Sequence, residues 1–234
     1  MDRPFEPQRI FTTIPVLLPY VSVTVGVAFA TLAAGLLLGW LLAAAKLGKP
    51  GFLRFLANGY TWILRCTPSI VLLFIVFYGL PEALIRLFGI NIHFFHTAFF
   101  VIVTLSLLFA ATVSEIMRSS YLSVDRGQYE AAVSSGLSGL QANIRIVLPQ
   151  AAVSALPNLG NALVSLMKEG ALAYTIGLID MMGQGILLIA RNYGAWAVET
   201  YTALALLYWA LIIVIEKTFG VIERRLSRGK RSIG

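Results

Sequence analysis

Residues 16–45 read VLLPYVSVTVGVAFATLAAGLLLGWLLAAA, thirty positions without one charged side chain. A helix crosses the hydrocarbon core of a bilayer with about 20 predominantly apolar residues. This stretch therefore spans a membrane, with length left for tilt or an extra turn. Four further apolar stretches follow at about 63–80, 98–117, 150–167 and 200–215; the fourth is the weakest, and the fifth runs on into an amphipathic end. Of the 234 residues, 58% are hydrophobic and only 12% charged, and mean hydropathy is +0.82. A soluble domain carries about 25% charged residues, so a soluble enzyme, a disordered chain and a disulfide scaffold do not fit. The expected fold is an all-α membrane protein of about five transmembrane helices, with residues 1–234 forming a single domain.

Basic residues set the expected orientation. The net charge of +7 belongs to loops held on the cytoplasmic side. Alternate sides of five spans receive four and thirteen lysines and arginines. The poor side holds Arg3, Arg9, Arg86 and Arg191. The rich side begins with Lys46, Lys49, Arg54 and Arg65, continues with Arg118, Arg126 and Arg145, and ends in a tail bearing Lys217, Arg224, Arg225, Arg228, Lys230 and Arg231. This places the N-terminus outside and the C-terminus in the cytoplasm. The first span is read as a retained helix, since Asp2 and Glu6 precede it and no small-residue cleavage site does. Cys66, the lone cysteine, forms no internal disulfide and founds no metal cluster.

Within the spans, Thr31, Gly35 and Gly39 recur every four residues, a small-residue face suited to close helix packing. In the fourth span Ser154, Asn158, Asn161, Ser165 and Lys168 follow at steps of 4, 3, 4 and 3, which puts all five on one helical face. Hydrogen bonding between packed helices explains the serines and asparagines; Lys168 beside Glu169 points toward a polar path, because a charge at mid-bilayer costs on the order of 2.5–3.5 kcal/mol or more. Gly170 permits a break there. Glu115 and Arg118, three apart, form either a local ion pair or a charged border of the same path. Asp180 lies in Gly177-Leu-Ile-Asp-Met-Met-Gly183, which reads as a re-entrant or gating element or as an external loop. His93 and His96 lack a third metal donor nearby, and no phosphate-binding G-x-x-x-x-G-K-[ST] loop is present.

The connection at about 119–149 has its own punctuation. Asp125 and Gln128 have the spacing of an N-cap and its N3 partner, opening a short helix through Glu130, Ala131 and Ala132 that Gly136 stops. Ser138 and Gln141 repeat the pattern for a second helix, which Pro149 ends or redirects. The result is a compact cytoplasmic knob, or an amphipathic hairpin resting on the membrane surface.

Glu130-Ala131-Ala132, Gly136 after three residues, and Ile146-x-Leu148-Pro149 after nine more resemble the EAA loop of binding-protein-dependent ABC importer permeases. Arg65-Cys66-Thr67-Pro68, Ser114-Glu115-Ile116-x-Arg118 and Leu156-Pro157-x-Leu159-x-Asn161 extend the likeness to the polar amino-acid uptake branch, over about 22–223. The chain departs from that branch at Gly170 and Ala171, where hydroxyl-bearing residues are usual, and at Cys66, where a small residue is.

The resemblance implies a five-span permease that imports a polar or charged L-amino acid, sulfur-containing ones such as cystine included. ATPase coupling would fall to Glu130, Ala131, Ala132, Gly136, Ile146, Leu148 and Pro149. The substrate-path candidates are Glu115, Asn161, Ser165, Lys168, Glu169 and Asp180. No cofactor is expected in this chain; ATP and Mg belong to the partner ATPase. The implied partners are ABC ATPase subunits, a second permease chain in a homo- or heterodimer, and an external solute-binding protein at a bacterial cytoplasmic membrane. The alternative is an ion-gradient-driven secondary amino-acid transporter or exporter, which explains the intramembrane charges but not the loop spacing. No catalytic constellation is present for a membrane enzyme.

Overall fold

In the computed structural model, residues 5–227 are described, and among them every regular element is helical. Arg3 and the tail residues Arg228, Lys230 and Arg231, counted above for orientation, lie outside the described residues. Helix α1, Pro7–Leu47, runs through Pro15 and Pro19 and exceeds the expected span at both ends. Helix α2, Phe52–Cys66, is separate. The apolar stretch at 63–80 is therefore not one span. Pro68 has φ −57° and ψ 135°, and a residue preceding proline is driven out of the α region, so the chain breaks at Thr67. The membrane segment begins only at Ser69 and continues to Phe88. Arg86, expected in a loop, instead stands on a helix in that segment's last turn.

That segment comprises α3, Ser69–Phe74, a π-helical turn, Ile75–Gly79, and α4, Leu80–Phe88. Helix α5 is Thr97–Leu122, α6 Arg126–Ser134 and α7 Gly139–Ala142. A second π turn, Asn143–Val147, leads without interruption into α8, Leu148–Gly170. Both π turns are followed by Leu-Pro, at Leu80-Pro81 and Leu148-Pro149. A proline lacks its N–H and collides with the carbonyl four residues back; the wider turn opens the backbone at that point. Pro149 therefore does not end the helix. A tighter 3-10 turn, Ala171–Ile176, then leads to α9, Met181–Arg191, and α10, Ala197–Ser227. Four segments are long and apolar enough to cross a membrane, and the run Gly139–Ile176 with Met181–Arg191, bent by 47°, makes up to five.

The chain divides into two compact units. The first comprises the chain up to Ala33, Thr67–Ser106 and Val164–Val214. Its core joins Ile10 and Leu17 of α1, Met181 of α9, and Ala203 and Leu204 of α10. Gly185 admits α10 closely, since a Cβ there would lie 2.5 Å from Leu204 Cδ1. At the start of α1 the Glu6 amide donates to Glu199 Oε1 at 2.8 Å, and the Arg9 guanidinium lies 4.1 Å from the Trp196 ring centroid.

The second unit comprises Ala34–Cys66, Leu107–Leu163 and the chain from Ile215. Here the small-residue face of α1 meets α5. A Cβ at Gly35 would lie 2.7 Å from the Phe109 ring, and one at Gly39 would lie 2.8 Å from Val113 Cγ1. Helix α2 buries little beyond Ala57 and Thr61, while Phe52, Phe55, Trp62 and Ile63 are exposed, the pattern of a helix at a membrane interface. The Tyr60 hydroxyl donates to the Leu107 carbonyl at 2.8 Å. Burial pushes this phenol's pKa up to about 12.

Candidate functional site

The 119–149 connection folds as two capped helices. Asp125 Oδ1 accepts from the Gly127 amide at 2.9 Å. Gln128 does not close a reciprocal box with it; its side chain instead stands 3.5 Å from Gln150 Nε2. Helix α6 ends at Gly136, with φ +92°, where the Leu137 amide reaches back to the Ala132 carbonyl at 3.2 Å. These are the bonds that a left-handed glycine permits. Ser138 and Gln141 close both arms of a capping box, at 3.3 and 2.9 Å. Ala132 and Val147 anchor the knob. Glu130, Ala131, Gly136, Leu148 and Pro149 are exposed and Ile146 is half-buried. Tyr129, Val133, Leu140 and Ile144 also lie open, Leu140 at 71%. An exposed apolar rim around a polar helix start suits docking against another protein.

On α8 the five residues of the polar stripe, Ser154, Asn158, Asn161, Ser165 and Lys168, are all exposed. The opposite face buries Ala151, Ala155, Ala162, Leu163, Leu166 and Met167. Glu169 and Gly170 are half-buried beside the stripe. One helix thus holds its apolar side inward and its hydrogen-bonding side outward.

Asp180 is not in an open loop. It is 2% exposed and caps α9, with Oδ1 accepting from the Gly183 amide at 2.9 Å. Oδ2 lies 3.3 Å from Thr24 Oγ1 of α1, which also accepts from the Met181 amide at 3.1 Å. Gly183 is needed because a Cβ there would strike the Leu178 carbonyl oxygen. Asp180 borders a cavity of about 10 Å³, shared with Thr24, Leu105, Met167 and Gly170, which is room for one water.

Glu115 has both oxygens engaged. Oε2 accepts from Arg118 Nε and Nη2 at 3.0 and 2.9 Å. Oε1 accepts from Lys46 Nζ at 2.7 Å. Lys46, counted above as a loop cation, has a fully buried side chain. Its remaining bonds reach Thr61 Oγ1 at 2.5 Å and Ser114 Oγ at 2.8 Å. Nothing in the spacing of a single helix could have paired Lys46 with Glu115. The available signal was its position in the last turn of α1, where a cation complements the helix dipole. His93 Nε2 stands 3.8 Å from Glu82 Oε1, and His96 Nδ1 accepts from the Ala98 amide at the start of α5. No group of three or more His, Cys, Asp or Glu residues arranged to hold a metal occurs among the described residues.

Residues 35–228 match the family described as binding-protein-dependent transport system inner membrane component. The chain belongs to this family. It is 40% identical over 233 residues to the L-cystine transport system permease protein TcyL of Bacillus subtilis (strain 168), covering 100% of this chain and 96% of that one. It is 32% identical to the probable amino-acid ABC transporter permease protein PatM of Vibrio harveyi, over 96% of this chain and 97% of that one. A crystal structure of an amino acid ABC transporter with histidines superposes with a TM-score of 0.81 at 28% identity, covering 96% of this chain and 100% of that one. This inner-membrane component is therefore the multi-pass permease of an ABC importer, a transport subunit working in a complex with ATPase subunits. Family membership sets aside the ion-gradient-driven alternative.

Proposed function

We propose that this permease imports a polar amino acid, with L-cystine the first substrate to test, and that the exposed face of α8 lines the path. The substrate class is supported by the names of the relatives, L-cystine and amino-acid permeases aligned over nearly the whole chain. The observation that carries the path is the exposure of Asn161, Ser165 and Lys168 on a helix whose other face is packed. Lipid is a poor neighbour for them, because a charge in hydrocarbon is costly. A second permease chain facing this stripe gives the polar groups a shared, water-accessible cleft. Lys168 and Glu169 offer opposite charges to the carboxylate and ammonium of a zwitterion, about 100° apart around the helix. Glu115 and Asp180 stand apart from the stripe in this reading: each carboxylate is bonded within its own unit and positions helices.

The work of transport comes from ATP and Mg bound on the partner ATPases, which receive the knob at Glu130, Ala131, Ala132, Gly136, Ile146, Leu148 and Pro149. An external solute-binding protein delivers the substrate, and closure of the ATPase pair turns the cleft from one side to the other. The whole chain acts as one permease domain, N-terminus outside and C-terminus in the cytoplasm, as the charge bias favours. Gly170 and Ala171 supply no hydroxyl donors beside the charged pair, so substrate contacts there fall to Lys168 and Glu169.

The test is uptake of L-cystine and of neutral, acidic and basic amino acids by Asn161→Ala, Ser165→Ala and Glu169→Gln, normalised to inserted protein. Uptake should fall, or charge preference should shift for Glu169→Gln, with ATPase assembly intact. Parent rates for every substrate in all three variants would remove this face from the path.

A further inference from the structure

We infer that Lys46, Thr61, Ser114 and Glu115 form a buried clasp that makes the end of α1, helix α2 and the end of α5 follow the coupling loop as one body; the inference rests on reading 119–149 as the ATPase-coupling segment. An ammonium group has three N–H donors, and Lys46 places them on Thr61 of α2 and on Ser114 and Glu115 of α5, at 2.5, 2.8 and 2.7 Å. The donor set is complete, so three helices meet at one fully buried atom. Glu115 then passes the connection outward through its second oxygen to Arg118, two bonds to one carboxylate.

The placement distinguishes a transmitting part from ordinary packing. Helix α5 continues for only two turns beyond Glu115 before the loop begins. There the Tyr121 hydroxyl is bonded to Asn143 Oδ1 at 2.6 Å, which ties the end of α5 to the start of the π turn that follows α7. At the other end of the connection, α2 has little apolar contact of its own and buries mainly Ala57 and Thr61. Its position is set by polar bonds, from Lys46 and from Tyr60 to Leu107. A displacement of the knob that moves α5 must therefore carry the last turn of α1 with it or break the pair between the fully buried Lys46 and the partly buried Glu115, and must carry α2 or break the Lys46–Thr61 bond. Breaking the pair is unfavourable because it leaves the Lys46 ammonium buried and uncompensated, while Glu115 keeps Arg118.

The experiment uses the permease assembled in lipid vesicles with its ATPase and its solute-binding protein, the latter loaded from a mixture of the protein amino acids and L-cystine. ATP hydrolysis is measured with and without the loaded binding protein. Glu115→Gln and Lys46→Met should each lower the stimulated-to-basal ratio at least about fivefold, the smaller end of typical coupling effects, while basal hydrolysis persists. The double variant should be no worse than the singles, since both remove one unit. A purely structural role lowers the amount of complex but leaves that ratio at the parent value, and that result overturns the clasp. Should Lys46→Met fail to assemble, Thr61→Val decides: it keeps the shape, removes one acceptor, and must lower the ratio. Gly136→Val serves as the control on the loop itself. If it leaves stimulation unchanged, the coupling reading falls and the clasp with it; if it abolishes stimulation while Glu115→Gln and Thr61→Val do not, the clasp alone is wrong.

Discussion

A methyl group added at Gly39 would lie 2.8 Å from Cγ1 and 2.9 Å from Cβ of Val113, whereas one added at Gly26, on the same helix, would meet nothing within 4 Å. The same substitution should therefore act with opposite sign at the two positions. Gly39→Ala forces two backbones apart and should cost about 1–3 kcal/mol, the usual range for overpacking. Gly26→Ala relieves only the flexibility of glycine in a helix and should be neutral or stabilising by about 0.5–1 kcal/mol. Thermal unfolding of the purified permease in detergent checks both; equal shifts would refute the close approach of α1 to α5. The four-residue spacing of Thr31, Gly35 and Gly39 was legible in the sequence because it belongs to one helix. Phe109 and Val113, the partners of Gly35 and Gly39, were not, since a contact between helices leaves no spacing rule behind. Lys46 shows the same limit: its charge is plain, but burial depends on Thr61 and Ser114 arriving from two other elements.

The two-helix knob was the most readable element, because caps are local. Ser138 with Gln141, and the left-handed Gly136, act within a few residues of themselves, and both form. Gly136→Val puts a β-branched residue at φ +92°, a conformation costing about 1–2 kcal/mol or more for a residue with a Cβ. Stimulated ATP hydrolysis should collapse while membrane insertion continues. Leu140→Asp tests the apolar rim without touching the backbone: it should abolish ATPase co-purification and leave the unfolding free energy within about 0.5 kcal/mol of parent. Retained co-purification would mean that the rim faces elsewhere. The second span starts later than hydropathy places it, at Ser69 rather than near Ile63. A hydropathy average runs smoothly across Thr67-Pro68, whereas the rule for residues before proline ends α2 there. For α8 the polar spacing was evident, but its exposure emerges only once the alanine and leucine face is packed.

At the scale of the molecule, the count of crossings decides which side each end occupies. Four crossing segments place both ends on one side; five, with the bent run through Gly170 and Asp180 as a crossing, place them on opposite sides. The bias of thirteen basic residues against four favours opposite sides. A reporter fused after Gly234 should read cytoplasmic and one before Met1 external, each compared with a soluble control. If both report from one side, α9 returns to its side of entry and the bent run is re-entrant. Charge bias was countable from the sequence, yet parity was not, because the apolar run through Asp180 passes for a span or a loop until its bend is known.

The two π turns carry a consequence for chain length. Each takes up one more residue than an α-helical turn and precedes Leu-Pro. Removing the extra residue and removing the proline should therefore compensate one another. Deletion of exposed Ile75 alone returns the Pro81 ring to collision with the carbonyl four residues back, a penalty of about 3 kcal/mol. Deletion together with Pro81→Ala leaves a continuous α-helix whose flanks keep their original faces. The shortened, proline-free chain should be more stable than the deletion alone. Relatives one residue shorter across this turn should then lack the proline, so that the gap and the substitution are inherited as a pair.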